Sequence, residues 1–210
     1  MIQILLVDDH EIVRRGLKQL LREEFPEAVF GEASTIPQAR ELIVQQEWDL
    51  VLLDINLPGG SGLELLDELK TVRSKSVVLV LSSYPEEEFA IRSFKLGAAG
   101  YLTKASVADE MLIAVRKVLA GGKYVSASLA EQLAAAMGNP GQLEPHESLS
   151  TRELEVLRLV ATGKTVKEIA TGLSLSEKTI ATYRTRISRK LKLSTNVELA
   201  RYALRHHLVE

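Results

Sequence analysis

Short apolar runs alternate with amphipathic stretches over the first 121 residues, and this alternation constrains the fold most strongly. The runs are continuous rather than alternately polar, which indicates strands buried on both faces. Strands that alternate with helices form parallel sheets with right-handed crossovers. We therefore predict a five-stranded doubly wound parallel sheet over 1–121. The predicted strands are 2–7, 28–33, 49–54, 77–82 and 99–104, and the predicted helices lie near 10–24, 36–47, 62–73, 86–97 and 107–120.

The pattern changes after residue 121. YVSASLAEQLAAAM (124–137) predicts one more helix, with Ser126 or Ser128 as its N-cap. The following GNPGQLEPHES holds two Pro, two Gly and few apolar residues, which is typical of a linker. We place a linker with one helix at 122–148 and a second domain at 149–210.

The second domain is predicted to be entirely helical. Three capping boxes mark helix starts, and Gly163 is expected to end the first helix. A short connection joins the second and third helices, as in a helix-turn-helix. The boxes are Ser150/Glu153, Thr165/Glu168 and Thr195/Glu198, and the second to fourth helices are expected at 166–173, 177–191 and 196–205.

Charge is divided unevenly along the chain. Residues 1–121 carry 13 Lys+Arg against 19 Asp+Glu, a net charge of −6, whereas residues 122–210 carry 13 against 9, a net charge of +4. Such asymmetry suggests two domains with different partners. The chain has no cysteine, no signal-peptide pattern and no apolar run long enough to span a bilayer, so we expect a cytoplasmic protein without membrane contact.

Polar residues stand at the carboxyl ends of four predicted strands. If the first and third strands are neighbours, three carboxylates converge and would repel one another unless a hard divalent cation such as Mg²⁺ holds them. Each acid alone could equally cap a helix or lie in a loop; their combination indicates a metal site. His10 is expected only to begin the first helix. The residues are Asp8, Asp9, Asp54, Ser82 and Lys104.

This set of side chains also suits phosphoryl chemistry. A carboxylate beside Mg²⁺ can attack a phosphoryl group and form an aspartyl-phosphate. Lys104 could neutralise one phosphoryl oxygen, and the Ser82 hydroxyl could donate to another.

A basic helix is predicted in the second domain. Residues 178–192 carry six basic residues and no acid. At a 3.6-residue period, Ile180, Ile187 and Leu191 share one face, with Tyr183 at its edge. The opposite face carries cations and short polar side chains, which suits the major groove of DNA. A solvated basic helix is the alternative, but the absence of interleaved acids argues against it.

The first domain resembles the receiver domain of bacterial two-component response regulators. VDDHE, LLDINLPGGSG, VLSS and GAAGYLTK occur in the expected order. The resemblance implies that Asp54 accepts the phosphoryl group and that Asp8, Asp9, Asp54 and the Asn56 backbone carbonyl bind Mg²⁺ or Mn²⁺. It also implies that Ser82 and Tyr101 form the switch pair and that Lys104 binds the phosphoryl group. Ala105 departs from the proline often found there.

Residues 149–209 resemble the LuxR/FixJ-type helix-turn-helix, so the whole chain is similar to the NarL/FixJ family of response regulators, and most of all to its GacA/UvrY branch. By this resemblance Ala181, Thr182 and Thr185 would face bases. Ala181 replaces a lysine that is often found at its position. The last helix would form a dimer contact, and His206 and His207 are expected at the surface. The candidates for phosphate contact are Ser176, Lys178, Thr179, Tyr183, Arg186 and Arg189.

The resemblance implies a transcription factor switched by phosphorylation. A sensor histidine kinase would donate the phosphoryl group, and the phosphorylated protein would bind DNA as a homodimer. Ser82 is expected to move inward after phosphorylation, with Tyr101 following. No enzymatic activity is expected beyond self-phosphorylation and self-dephosphorylation of Asp54.

Two other functions stay open from the residues alone. A flavodoxin-like redox module shares the strand arrangement but needs a Ser/Thr/Gly-rich phosphate loop where this chain has DDHEIV. A Mg²⁺-dependent phosphohydrolase would need a general acid or base near Asp54, and it would leave the basic helix unexplained.

Overall fold

Five parallel strands form a single sheet in the order β2-β1-β3-β4-β5 in the computed structural model of the chain. The sheet confirms the predicted doubly wound α/β class. The strands are β1 (Gln3–Val7), β2 (Val29–Ala33), β3 (Leu50–Leu53), β4 (Val77–Ser82) and β5 (Gly100–Thr103). The structure describes residues 1–58, 61–72, 75–105, 108–127, 129–131, 145–173, 175–206 and 208–209.

Helices follow each strand of the sheet, and their apolar faces cover it. Leu21 of the first helix and Met111, Val115 and Val118 of the fifth are buried in one core cluster with strand residues. These side chains recur three or four positions apart, which is the spacing of one helix face. The helices are α1 (Glu11–Glu24), α2 (Ile36–Gln45), α3 (Gly62–Val72), α4 (Glu86–Lys95) and α5 (Ala108–Leu119).

The register of β1 against β3 brings two distant acids together. Val7 pairs with Leu53, so Asp8 and Asp54 both follow the last paired position. The Asp54 backbone N–H donates to the Val7 carbonyl oxygen over 2.8 Å. Because parallel strands end at one edge of the sheet, both carboxylates lie at that edge.

The chain after α5 returns to the edge of the sheet. Tyr124 forms a parallel bridge with Gly100, and its N–H donates to the Ala99 carbonyl oxygen over 2.8 Å. The Ser126 hydroxyl bonds to the Glu86 carboxylate and accepts from the Leu129 N–H. Ser126 therefore serves as the predicted N-cap; Ser128 and the rest of that predicted helix, 132–137, lie outside the described residues.

The described residues of the second part of the chain form four α-helices and a short 3-10 helix. The capping boxes of Ser150, Thr165 and Thr195 are formed, each with its predicted glutamate. The chain divides into two compact units, Met1–Pro140 and Gly141–Glu210. The helices are the 3-10 helix (Pro145–Ser148), α6 (Thr151–Ala161), α7 (Val166–Gly172), α8 (Glu177–Leu191) and α9 (Asn196–Arg205).

An aromatic cluster joins the start of this second unit to α9. The His146 Nδ1 lies 3.0 Å from the Tyr202 hydroxyl, and the His206 ring lies 4.2 Å from the Tyr202 ring, centroid to centroid. His206 is therefore half-buried rather than a plain surface residue. His207 lies outside the described residues. No helix in the described part of the chain has the length and apolar character that a membrane span requires.

Candidate functional site

Four potential ligand side chains meet at the carboxyl edge of β1 and β3. One donor atom from each of Asp8, Asp9, His10 and Asp54 lies within 4.8 Å of the others. Asp8 and Asp54 are buried, at 2 % and 3 % exposure, whereas Asp9 and His10 are exposed. The structure thus brings together the three acids predicted from strand ends.

Lys104 offsets part of this negative charge. Its Nζ lies 2.7 Å from Asp54 Oδ2 and 2.7 Å from Asp8 Oδ2. Burial raises the pKa of the Asp54 carboxyl and Asp8 adds to the rise, while the bonds from Lys104 and Asn56 oppose it. Burial alone would lower the pKa of the Lys104 ammonium, but its contacts with Asp54 and Asp8 outweigh burial and raise that pKa.

The loop after β3 holds the Asp54 carboxylate in place. The Asn56 N–H donates to Asp54 Oδ1 over 2.9 Å, and the Gly62 N–H donates to the Ile55 carbonyl oxygen over 3.1 Å. A Cβ at Gly62 would lie 2.5 Å from the Asp54 carbonyl oxygen. Glycine is therefore required where α3 begins against this loop. The metal-ligand role of the Asn56 carbonyl stays a prediction.

Ser82 and Tyr101 both lie inside the protein. The Ser82 hydroxyl accepts from the Tyr84 N–H over 3.1 Å, and the Tyr101 hydroxyl donates to the Tyr84 carbonyl oxygen over 3.0 Å. Tyr101 has 0 % exposure. Tyr101 is thus buried and bonded in this structure, and the response of Ser82 and Tyr101 to phosphorylation stays a prediction.

His10 is the member of this cluster that reasoning from the sequence missed. It is the N-cap of α1, as expected, but its side chain makes no capping bond. Instead its Nδ1 lies 2.7 Å from Asp9 Oδ1 and 3.2 Å from Asp8 Oδ1. Its position directly after two acids was the available signal.

The donor chemistry of the pocket suits a hard cation. Three of the four potential ligands are carboxylates, and carboxylate oxygens are the donors that Mg²⁺ and Mn²⁺ prefer. The pocket at the carboxyl edge of β1 and β3 is thus an acidic pocket that could bind a metal ion.

The α8 helix presents a second candidate site, which is polar and basic. Ile180, Ile187 and Leu191 are buried, as the helical period predicted. Tyr183 and Thr179 are half-buried, and Thr179 bonds to the Ser176 N-cap. The other predicted DNA-contact residues are exposed, namely Ser176, Lys178, Ala181, Thr182, Thr185, Arg186 and Arg189.

Two cations of α8 are committed to the protein itself. The Arg184 guanidinium donates to Asn196 Oδ1. Lys190 Nζ lies 2.6 Å from Glu153 Oε2 and donates to the Ser148 carbonyl oxygen over 3.1 Å. These tertiary contacts distinguish the cations that bind other parts of the protein from the cations on the exposed face of α8.

Comparison with known proteins identifies both halves of the chain. Residues 4–116 match the response regulator receiver domain, and residues 147–203 match the luxR family of bacterial regulatory proteins. The response regulator GacA of Pseudomonas aeruginosa is 38% identical over 211 residues, covering 100% of this chain and 99% of that protein. UvrY of Escherichia coli K12 is 36% identical over 209 residues, covering 99% and 96%.

A solved structure is similar to about two thirds of the chain. The LuxR-family two-component response regulator from Aurantimonas sp. SI85-9A1 is 32% identical, with a TM-score of 0.58 over 65% of this chain and 98% of that one. The chain therefore belongs to the response regulators that join a receiver domain to a luxR-type DNA-binding domain, and it is a phosphorylation-dependent transcription regulator.

Proposed function

We propose that Asp54 is the phosphoacceptor and that a sensor histidine kinase is the donor. The observation that carries the proposal is that one buried carboxylate, Asp54, contacts Lys104 and lies within 4.8 Å of the acids that follow β1. An Asp54 carboxylate oxygen would attack phosphorus while the P–N bond of the kinase's phosphohistidine breaks. The departing imidazole would take up one proton from solvent, so the products are an aspartyl-phosphate on this chain and a neutral histidine on the kinase.

Mg²⁺, or Mn²⁺, is the metal that we propose for the acidic pocket. Asp8, Asp9, Asp54 and the Asn56 carbonyl would hold it, and the bound ion would neutralise charge on the phosphoryl group. Lys104 contacts Asp54 Oδ2, so its ammonium lies close enough to bind an oxygen of a phosphoryl group attached to that carboxylate. Transfer to Asp54 and its later hydrolysis would be the chain's only chemistry.

Phosphorylation would act first on the loop between β4 and α4. The added phosphoryl oxygens are strong acceptors next to Lys104 and Ser82. A bond from the Ser82 hydroxyl to the phosphoryl group would compete with its present bond to the Tyr84 N–H. Since Tyr101 donates to the carbonyl of Tyr84, a shift of this loop would reach β5 through that bond.

The DNA-binding unit would insert α8 into the major groove and dimerise through α9. Exposed cations on α8 support phosphate contact. Val197 and Leu204 are exposed apolar side chains seven positions apart on α9, at 68 % and 54 % exposure, which supports contact with a second copy. Binding as a homodimer to two half-sites would follow, in the cytoplasm.

The test is labelling by a small acyl phosphate donor in the presence of Mg²⁺. Asp54→Asn should abolish labelling, because the amide is not a nucleophile for phosphorus. Asp67→Asn, which changes an exposed acid on α3, serves as the matched control and should label normally. Undiminished labelling of Asp54→Asn would contradict the assignment. Steady hydrolysis of a generic phosphate ester at roughly 1 per second or faster would instead favour an enzyme.

A further inference from the structure

We propose that the exposed face of α8 reads the methyl group of thymine, so that A·T base pairs occupy the centre of each half-site. This inference rests on the proposed insertion of α8 into the major groove. It concerns which base pairs the helix selects, and it follows from how three side chains of this helix are bonded.

The centre of the exposed face is made of methyl groups. Ala181, Thr182 and Thr185 are all exposed, and each ends in a methyl carbon. Lys178 lies one turn before Thr182 on this face, and Arg189 lies one turn after Thr185. Along the line from Lys178 to Arg189, therefore, the centre of the face offers apolar contact rather than charge.

The threonine hydroxyl hydrogens are already used within the helix. The Thr182 hydroxyl donates to the Lys178 carbonyl oxygen over 3.0 Å, and the Thr185 hydroxyl donates to the Ala181 carbonyl oxygen over 3.0 Å. A hydroxyl has one hydrogen to donate and two lone pairs that accept. Toward DNA, each threonine thus presents a methyl group and an acceptor.

The A·T pair is the partner that matches a methyl group beside an acceptor. In the major groove only thymine carries a methyl group, and its partner adenine presents the N6 amino donor. Guanine presents two acceptors, which face an acceptor oxygen unfavourably. Recognition of guanine there would require a donor, and the position of Ala181 offers none.

Cations that could read guanine are bonded within the protein or lie at the ends or the side of this face. Arg184 is bonded to Asn196, and Lys190 is bonded to Glu153 and Ser148. Arg186 is exposed but lies at the side of the face. The methyl groups of Ala181, Thr182 and Thr185 are therefore the side-chain surface at the centre of the face.

In the experiment, the full-length protein first selects the duplexes that it binds from a random pool, with a small acyl phosphate donor and Mg²⁺ present. Repeated selection enriches the preferred half-site. Each thymine of the enriched half-site is then replaced singly by 2′-deoxyuridine, which removes only the methyl group. We expect about 4-fold weaker binding for each methyl group that α8 contacts, at the positions facing Thr182 and Thr185.

A matched pair of variants assigns the effect to the protein's methyl group. Thr182→Val keeps the methyl surface and should retain the preference for thymine over uracil. Thr182→Ser keeps the hydroxyl and should lose that preference at one position. The three residues have similar helix propensities, so both variants preserve the helix. Arg189→Ala should weaken thymine and uracil duplexes equally.

Two results would overturn the inference. Uracil tolerated at every position, or a Thr182→Ser variant that keeps its preference for thymine at every position, would exclude methyl recognition while leaving sequence-specific DNA binding intact. Failure to enrich any duplex would overturn both methyl recognition and the proposed DNA binding through α8.

Discussion

Adjacent cations on α8 have different surroundings, and we expect different consequences when each is removed. Lys190 contacts Glu153, a carboxylate with 2 % exposure, whereas Arg189 is exposed. A buried carboxylate that loses a neighbouring ammonium keeps its desolvation cost without that compensating attraction. Both side chains are cationic, so their charge does not distinguish the two positions, whereas their contacts do.

We predict that Lys190→Ala lowers the free energy of unfolding by about 2 kcal/mol, a value reduced because Lys190 is itself partly exposed. Arg189→Ala should change the free energy of unfolding by less than about 0.5 kcal/mol. It should lower the steepness with which the logarithm of the DNA-binding constant falls against the logarithm of the salt concentration by about one. Urea unfolding and salt titrations of duplex binding measure the two effects. Equal stability losses in both variants would refute this division of roles.

Two glycines show how the surroundings of an element decide what a side chain can occupy. Gly16 lies in the middle of α1 at an exposed position, and a Cβ there would meet no atom within 4 Å. Gly62 begins α3, and a Cβ there would lie 2.5 Å from the Asp54 carbonyl oxygen and 2.5 Å from Ile55 Cα. One glycine is replaceable, whereas the other allows the close approach of α3 to the loop that follows Asp54.

We predict opposite effects for the two alanine substitutions. Gly16→Ala should raise the free energy of unfolding by about 1 kcal/mol, because alanine favours the helix. Gly62→Ala should lower it by about 1–3 kcal/mol, because backbone must shift, and should slow labelling of Asp54. Chemical denaturation and the labelling rate check both variants. If Gly62→Ala folds and labels like the unsubstituted chain, the steric assignment fails.

At the scale of the whole molecule, the two compact units carry opposite net charge. Met1–Pro140 holds 14 Lys+Arg against 20 Asp+Glu, a net charge of −6, and Gly141–Glu210 holds 12 against 8, a net charge of +4. The acidic unit contains the pocket that could bind a metal ion, and the basic unit suits a polyanion. Each ligand should therefore stabilise the unit that binds it.

We predict that Mg²⁺ with a phosphoryl mimic slows hydrogen exchange in β1, β3 and β5, and that an enriched duplex slows exchange in α6 to α9. A ligand present at 100 times its Kd stabilises the folded unit that binds it by about 2.7 kcal/mol. Amide hydrogen exchange measured by mass spectrometry resolves a change of that size. Asp54→Asn with the duplex alone is the control for the second unit. Protection of α6 to α9 by Mg²⁺ alone would contradict binding at the acidic pocket.

Local patterns predicted the elements and much of the site. Helix and strand periods are set by neighbouring residues, and a capping box such as Ser150/Glu153 forms within a single turn. The inward face of α8 followed from its period in the same way. The acids at strand ends were found because parallel strands end at one edge, although their meeting depended on β1 lying beside β3.

By itself, then, the sequence determined the class of fold, the helix starts and the residue types available at each site. Only the tertiary structure decided that Lys104 bridges Asp8 and Asp54, that Tyr101 is buried, and that Lys190 pairs with Glu153. These contacts join residues tens of positions apart. Periodicity reports which face a side chain takes, whereas strand order and packing determine which distant group it meets.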